Sequence, residues 1–206
     1  MIKLYYSPGA CSLASHIVLE WIGESYGAEA VKIGSPQLIK LNPAGAVPVL
    51  DTGEGWTLTQ SGAILKYLTN RFPKSNLGSD GSLRGNAEFD RWLLFMTGDL
   101  HPAFYPFYFP QRYTTSKDEE DLEVVRAAAR KLIAKRYELL ENHLDSKDHI
   151  VGNKRTAVDA YALPMLQWGN KALKDGIKPY ANLQRFHDTL VQDAQVQQVL
   201  KIEGLV

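Results

Sequence analysis

Cys11 is the only cysteine of the 206-residue chain. It stands where an extended run, Ile2-Lys3-Leu4-Tyr5-Tyr6, passes through the turn Ser7-Pro8-Gly9-Ala10 into a helical one. A thiol at a helix N-terminus faces unpaired backbone N–H groups and the positive end of the helix dipole. Both favour the reactive thiolate. The alternative is that Cys11 is a small buried hydrophobe, as free cysteines often are. Two further segments offer compatible chemistry. Val47-Pro48 opens a β run, where a proline cannot donate to a ladder. The Val47 N–H and C=O there either pair with an extended, peptide-like ligand or simply belong to a tight turn. Gln60 and Ser61 lie where a strand hands over to a helix. Ser61 serves there as an N-cap, or joins the free N–H groups of the first turn in a carboxylate site. Lastly, Phe104, Tyr105, Phe107, Tyr108, Phe109 and Tyr113 crowd a segment interrupted by Pro102, Pro106 and Pro110. Such a segment packs helices together or lines a wall for an apolar co-substrate.

Composition narrows the partners. Lys+Arg and Asp+Glu both total 23, so neither nucleic acid nor an anionic membrane is expected as the main partner. No apolar run is long enough to span a bilayer, and no signal peptide is evident, so a cytoplasmic setting is expected. A single cysteine makes no internal disulfide. Ala14 occupies the position that a Cys-x-x-Cys pair would need, so any disulfide of Cys11 must be with a ligand or another protein.

The elements that position these residues follow from periodicity. A strand is expected over Ile2 to Tyr6, and a helix over Ser12 to Ile22 with Gly23 as its stop. Ala28 to Ile33 reads as a second strand. Val47 to Leu50 and Trp56 to Leu58 read as a hairpin, and Ser61 to Phe72 as a helix ended by Pro73. Strands with helices against them make an α/β or α+β unit. The polar, glycine-bearing stretch from Lys74 to Ser82 then marks a boundary, with units expected at 1–79 and 84–206. Beyond it the pattern is helical: Glu88 to Leu100, a long amphipathic helix over Lys117 to Leu144, and an apolar central helix. The central helix is preceded by Thr156 and Asp159 in capping-box spacing, and Pro164 should kink it.

Taken together, these residues resemble the glutathione transferase family, most closely its bacterial beta class. The resemblance rests on Tyr6, Pro8 to His16, Asn42-Pro43, Gly45, Val47-Pro48, Gln60-Ser61, Ala63-Ile64, Asp99-Leu100-His101, Thr156, Asp159-Ala160-Tyr161 and Trp168. It reaches from Met1 to Glu203-Gly204-Leu205. It implies a thioredoxin-like N-terminal domain followed by an all-helical domain, glutathione as co-substrate, no metal, and a homodimer. Residue by residue, it implies that Pro48 is cis and that Val47 pairs with the cysteinyl part of glutathione. Gln60 and Ser61 would hold the γ-glutamyl group, and Cys11 would lie beside the glutathione sulfur and form a mixed disulfide with it. Cys11 or Ser12 would give that sulfur a hydrogen bond. Asp99 and His101 would contribute to the glutathione site, His101 by reaching the partner subunit's cleft. Tyr6, Phe104, Tyr108 and Trp168 would face a small hydrophobic electrophile, and Thr156 with Asp159 would cap the central helix. The implied activity is transfer of the glutathione thiolate to that electrophile. Glutathione-dependent disulfide or peroxide reduction through Cys11, and a non-catalytic binding role, are the alternatives.

The chain departs from the class in places. Ile33 to Leu41 is short and leaves only Lys32 and Lys40 as candidates for the glycyl carboxylate. Gln60 replaces a glutamate, Leu94 a polar residue, and Pro102 a lysine.

Overall fold

A computed structural model describes all 206 residues. The first strand, β1 (Ile2–Tyr6), buries every second side chain, Ile2, Leu4 and Tyr6, as a strand with one face on a core must. The turn after it leads into α1 (Ser12–Ile22), which Gly23 ends in the left-handed conformation, as expected. β2 (Tyr26–Ala30) runs parallel to β1, pairing Ile2 with Tyr26 and Tyr6 with Ala30. It starts two residues before the expected Ala28. The Tyr26 ring packs edge-on against His16 of α1, and its hydroxyl donates to Glu20. That tertiary anchoring outweighs the turn preference of Gly27.

A short helix, α2 (Pro36–Leu41), occupies a stretch to which the sequence pattern assigns no element. Ser35 caps it by accepting from the Leu38 N–H, and Pro36 sits at its first position, where a missing N–H costs nothing. Leu38 closes a small apolar cluster with Val31, Val47 and Val49. β3 (Val49–Asp51) and β4 (Thr57–Thr59) form the expected hairpin, giving the order β2-β1-β3-β4 with only the first pair parallel. α3 (Ser61–Arg71) follows directly from β4. This is the four-stranded mixed sheet of a thioredoxin-like unit.

The rest is helical. α4 (Leu83–Leu94) starts before the expected Glu88 because Ser82 caps it, and it continues into a π-helical turn, Phe95–Leu100. Two short helices follow, α5 (His101–Ala103) and α6 (Tyr105–Tyr108), separated as the prolines require. Next come α7 (Glu119–His143), α8 (Ala157–Ala172), α9 (Ala181–Gln192) and α10 (Ala194–Ile202). α7 carries Glu119, Glu120 and Asp121 in its first turn, the favourable end of the dipole. α8 lies at the centre of the helical unit, and Pro164 leaves it unbroken. A proline deletes one N–H, and burial on all sides holds the helix together around that loss.

The apolar core does not stop at the boundary. One cluster of 44 buried residues runs from Ile2 through α1, α3, α4 and α7 to Leu200. A main-chain bond from Ala157 N–H to the Leu77 carbonyl crosses the same seam.

Asp159 and Thr156 form a full capping box at the head of α8. One Asp159 oxygen accepts from the Thr156 N–H (2.6 Å) and hydroxyl (3.1 Å), and the other from the Ile150 N–H (2.9 Å). Asp159→Ala therefore strands two buried N–H groups and should cost roughly 2–5 kcal/mol. Thr156→Ala removes the cap alone and should cost about 1 kcal/mol. Urea titration of the two variants checks the order: equal midpoints would show that Asp159 has no role beyond the cap.

Candidate active site

The turn from Ser7 to Cys11 is fixed from several directions. Gly9 adopts φ +69°, a conformation open to glycine at little cost. The Ser12 hydroxyl accepts from the Ser7 N–H (3.2 Å) and donates to the Ser7 carbonyl (3.3 Å), and its side chain is sealed. Ser12 is thus committed to holding the turn, not free to contact a ligand. Trp168, from α8, donates its indole N–H to the Gly9 carbonyl (2.8 Å).

Cys11 sits just ahead of α1 and is buried. Its thiol donates to the Val47 carbonyl (3.4 Å), and the Val47-Pro48 bond is cis. Burial pushes the thiol up from its ordinary range. The Ser61 hydroxyl and the N–H groups of Cys11 and Ser12 offset that only in part. The helix-dipole expectation of a ready thiolate is therefore corrected: desolvation outweighs the helix N-terminus, and the resting group is a thiol.

Ser61 is buried as the first residue of α3, while Gln60, the actual cap position, is exposed with φ +72° and ψ 116°. A non-glycine residue at positive φ is uncommon, and such strain persists where the surroundings impose it. Gln60, Ser61, Val47 and Cys11 thus form one group from three segments far apart in sequence.

Across from them lies an aromatic layer that sequence reasoning drew only in part. His101 is buried, with Nδ1 2.8 Å from the Tyr161 hydroxyl and its ring 5.1 Å from those of both Tyr105 and Trp168. Burial pulls His101 down to about 4, so it is neutral at physiological pH. Its ring lies within its own chain's aromatic layer. Tyr161 and Tyr105 stand near enough to Cys11 for a thiolate there to push both phenols up, after burial itself. Tyr161 also feels the Ser61 hydroxyl. The available signal was a tyrosine inside an otherwise apolar central helix, a hydroxyl that must find a partner.

Asp99, Tyr6 and Phe104 are also expected at the site. Asp99 lies on the π-helical turn, half exposed, with its carboxylate 3.3 Å from Arg136. Tyr6 points into the core, its ring 4.9 Å from that of His16, because β1 alternates and the odd face goes elsewhere. Phe104 is fully buried behind Trp168 (5.5 Å) and supports the wall without lining it. Tyr108 is exposed and Trp168 half-buried, as a lining requires; Tyr105 joins them. Lys32 and Lys40 are both exposed on the surface, and neither has a bond tying it to this group.

Comparison with known proteins agrees with this geometry. Residues 1–70 match the glutathione S-transferase N-terminal domain model and residues 99–193 the C-terminal one. A glutathione S-transferase of Xanthomonas campestris pv. campestris is 39% identical, over 99% of this chain and 100% of the relative. A bacterial beta class glutathione S-transferase structure from Sphingomonas chungbukensis superposes with TM-score 0.87 at 31% identity, covering 99% of this chain and 100% of that one. A sphingomonad glutathione S-transferase solved in complex with glutathione gives TM-score 0.87 at 32% identity, with the same coverage. With its thioredoxin-like sheet, its helical second unit and a relative matched end to end, the chain belongs to the glutathione S-transferase family.

Proposed function

We propose that the chain binds glutathione beside Cys11 and directs the glutathione thiolate at a small hydrophobic electrophile. The observation that carries this reading is the convergence of Val47-Pro48, the Gln60-Ser61 head of α3 and Cys11 on one group. The Val47 N–H has no acceptor within the chain, and its carbonyl holds only a thiol. An extended peptide can pair with both, taking the carbonyl from Cys11 as it does so. The first-turn N–H groups of α3 and the Ser61 hydroxyl then receive the γ-glutamyl carboxylate. The sphingomonad relative's complex with glutathione supports the same assignment.

Displaced from Val47, the Cys11 S–H is free to donate to the glutathione sulfur and stabilise its thiolate. This is positioned hydrogen bonding to a developing anion. A neutral, buried thiol is a poor nucleophile, which favours transfer over redox cycling through Cys11. Ser12 cannot share the role, its hydroxyl being bound at both ends. His101 stays neutral and offers a hydrogen bond without a charge. Tyr105, Tyr108 and Trp168 present flat apolar surface on the opposite side, suited to an aromatic or hydrophobic acceptor. The homodimer and a cytoplasmic setting are part of the same proposal. No helix is long and apolar enough to cross a membrane.

Cys11→Ala should lower conjugation of a generic aromatic electrophile about tenfold, the worth of one hydrogen bond to an anion. After incubation with oxidised glutathione, intact-mass spectrometry should show little adduct on the wild type at neutral pH. Rapid stoichiometric glutathionylation, with activity abolished in Cys11→Ala, would establish covalent chemistry instead.

His101 adds a pH dependence. Its folded-state value lies below the unfolded one, near 6.5, so folding favours the neutral ring. That contribution is complete above about pH 6.5 and is lost as pH falls toward 4. The melting temperature should drop across this window, and His101→Gln should flatten the drop. An unchanged slope in His101→Gln would remove His101 as its source.

A further inference from the structure

The segment after α10 returns to the turn that carries Cys11. Glu203 is sealed from solvent, and its two carboxylate oxygens are divided between two partners. One lies 2.8 Å from His16 Nδ1, the other accepts from the Gly9 N–H at 3.0 Å. His16 is itself fully buried, its ring tilted at 45° to that of Tyr6, and its Nε2 has no partner. Leu205 covers the same place: a Cβ on Gly9 would meet its Cδ2 at 3.4 Å. Gly9 is thereby held at both ends of its own residue, its N–H by Glu203 and its carbonyl by Trp168.

This arrangement is expensive to build. A carboxylate removed from water costs several kcal/mol unless fully hydrogen-bonded, and the stranded His16 nitrogen adds to that. A surface glycine turn would need no such partner to close, since the Ala10 N–H already bonds the Ser7 carbonyl. What the buried pair adds is a fixed position for the peptide two residues before Cys11.

We propose that Glu203 is a positioning residue for the transfer reaction, clamping the Gly9 peptide so that the Cys11 thiol stays aligned with the glutathione sulfur. His16 orients the carboxylate, and Leu205 keeps water from competing for the Gly9 N–H. The proposal rests on the glutathione reading of the Cys11 site, yet the clamp itself can be measured without any ligand.

Two substitutions test it. Glu203→Ala deletes both bonds, whereas Glu203→Gln keeps an acceptor for Gly9 and an amide donor for His16 Nδ1. In Glu203→Ala, hydrogen exchange of the peptide spanning Gly9 and alkylation of Cys11 by iodoacetamide should each rise about tenfold, as expected for one lost charge-assisted bond. The KM for glutathione should rise by about the same factor with kcat little changed, and Glu203→Gln should restore most of the loss. A folded Glu203→Ala with wild-type exchange and alkylation overturns the proposal. Raised exchange and alkylation with no effect of glutathione on either protein would leave the clamp standing and overturn the glutathione reading instead. Should Glu203→Ala fail to fold, Leu205→Ala decides: a several-fold rise in Gly9 exchange and Cys11 alkylation supports the clamp, and unchanged rates overturn it.

Discussion

The Asp159 carboxylate at the head of α8 is the interaction on which the rest of the molecule depends. It is fully buried, and it is tolerable there only because three donors converge on it. Those bonds set where α8 begins and how it is rotated. Its rotation sends Tyr161 toward His101 and, two turns later, Trp168 toward the Gly9 carbonyl. The orientation of the aromatic layer and the placement of the thiol both descend from one cap, although neither residue of the cap touches the site.

The state of Cys11 shows which of two opposed effects wins. A helix N-terminus contributes at most about 2 kcal/mol toward an anion in a partly buried setting. Removing a thiolate from water costs more unless several donors replace the lost hydration. Here Ser61 and two backbone N–H groups are the replacements, and they fall short. The resting thiol spends its proton on the Val47 carbonyl. Sequence position alone speaks to the dipole and is silent about burial, which is set by residues far along the chain.

Much of the fold was legible for simple reasons. β1, α1, α3 and α7 are long or strongly periodic, and their ends carry Gly23, Pro73 or a gradient of charge. The capping box could be read off Thr156 and Asp159 because its spacing is local. α2 escaped notice because six residues give too little periodicity, although Ser35-Pro36 was a start signal. The site was half legible. Val47, Gln60, Ser61 and Cys11 sit in local motifs. The directions of Tyr6, Phe104, Asp99 and His101 depend on which face of an element meets which neighbour, and no short-range spacing encodes that. Tyr161 and Glu203 matter through partners 60 and 194 residues away, the separation at which sequence patterns carry least.

The unbroken core has a thermodynamic meaning. A chain whose two halves bury their apolar surface in common cannot melt one half and keep the other, since either alone would expose the shared face to water. The thioredoxin-like sheet and the helical unit are then two architectures with a single stability. Every substitution in α8 or α10, however remote from the thiol, draws on the same cooperative reserve that keeps the Cys11 turn folded.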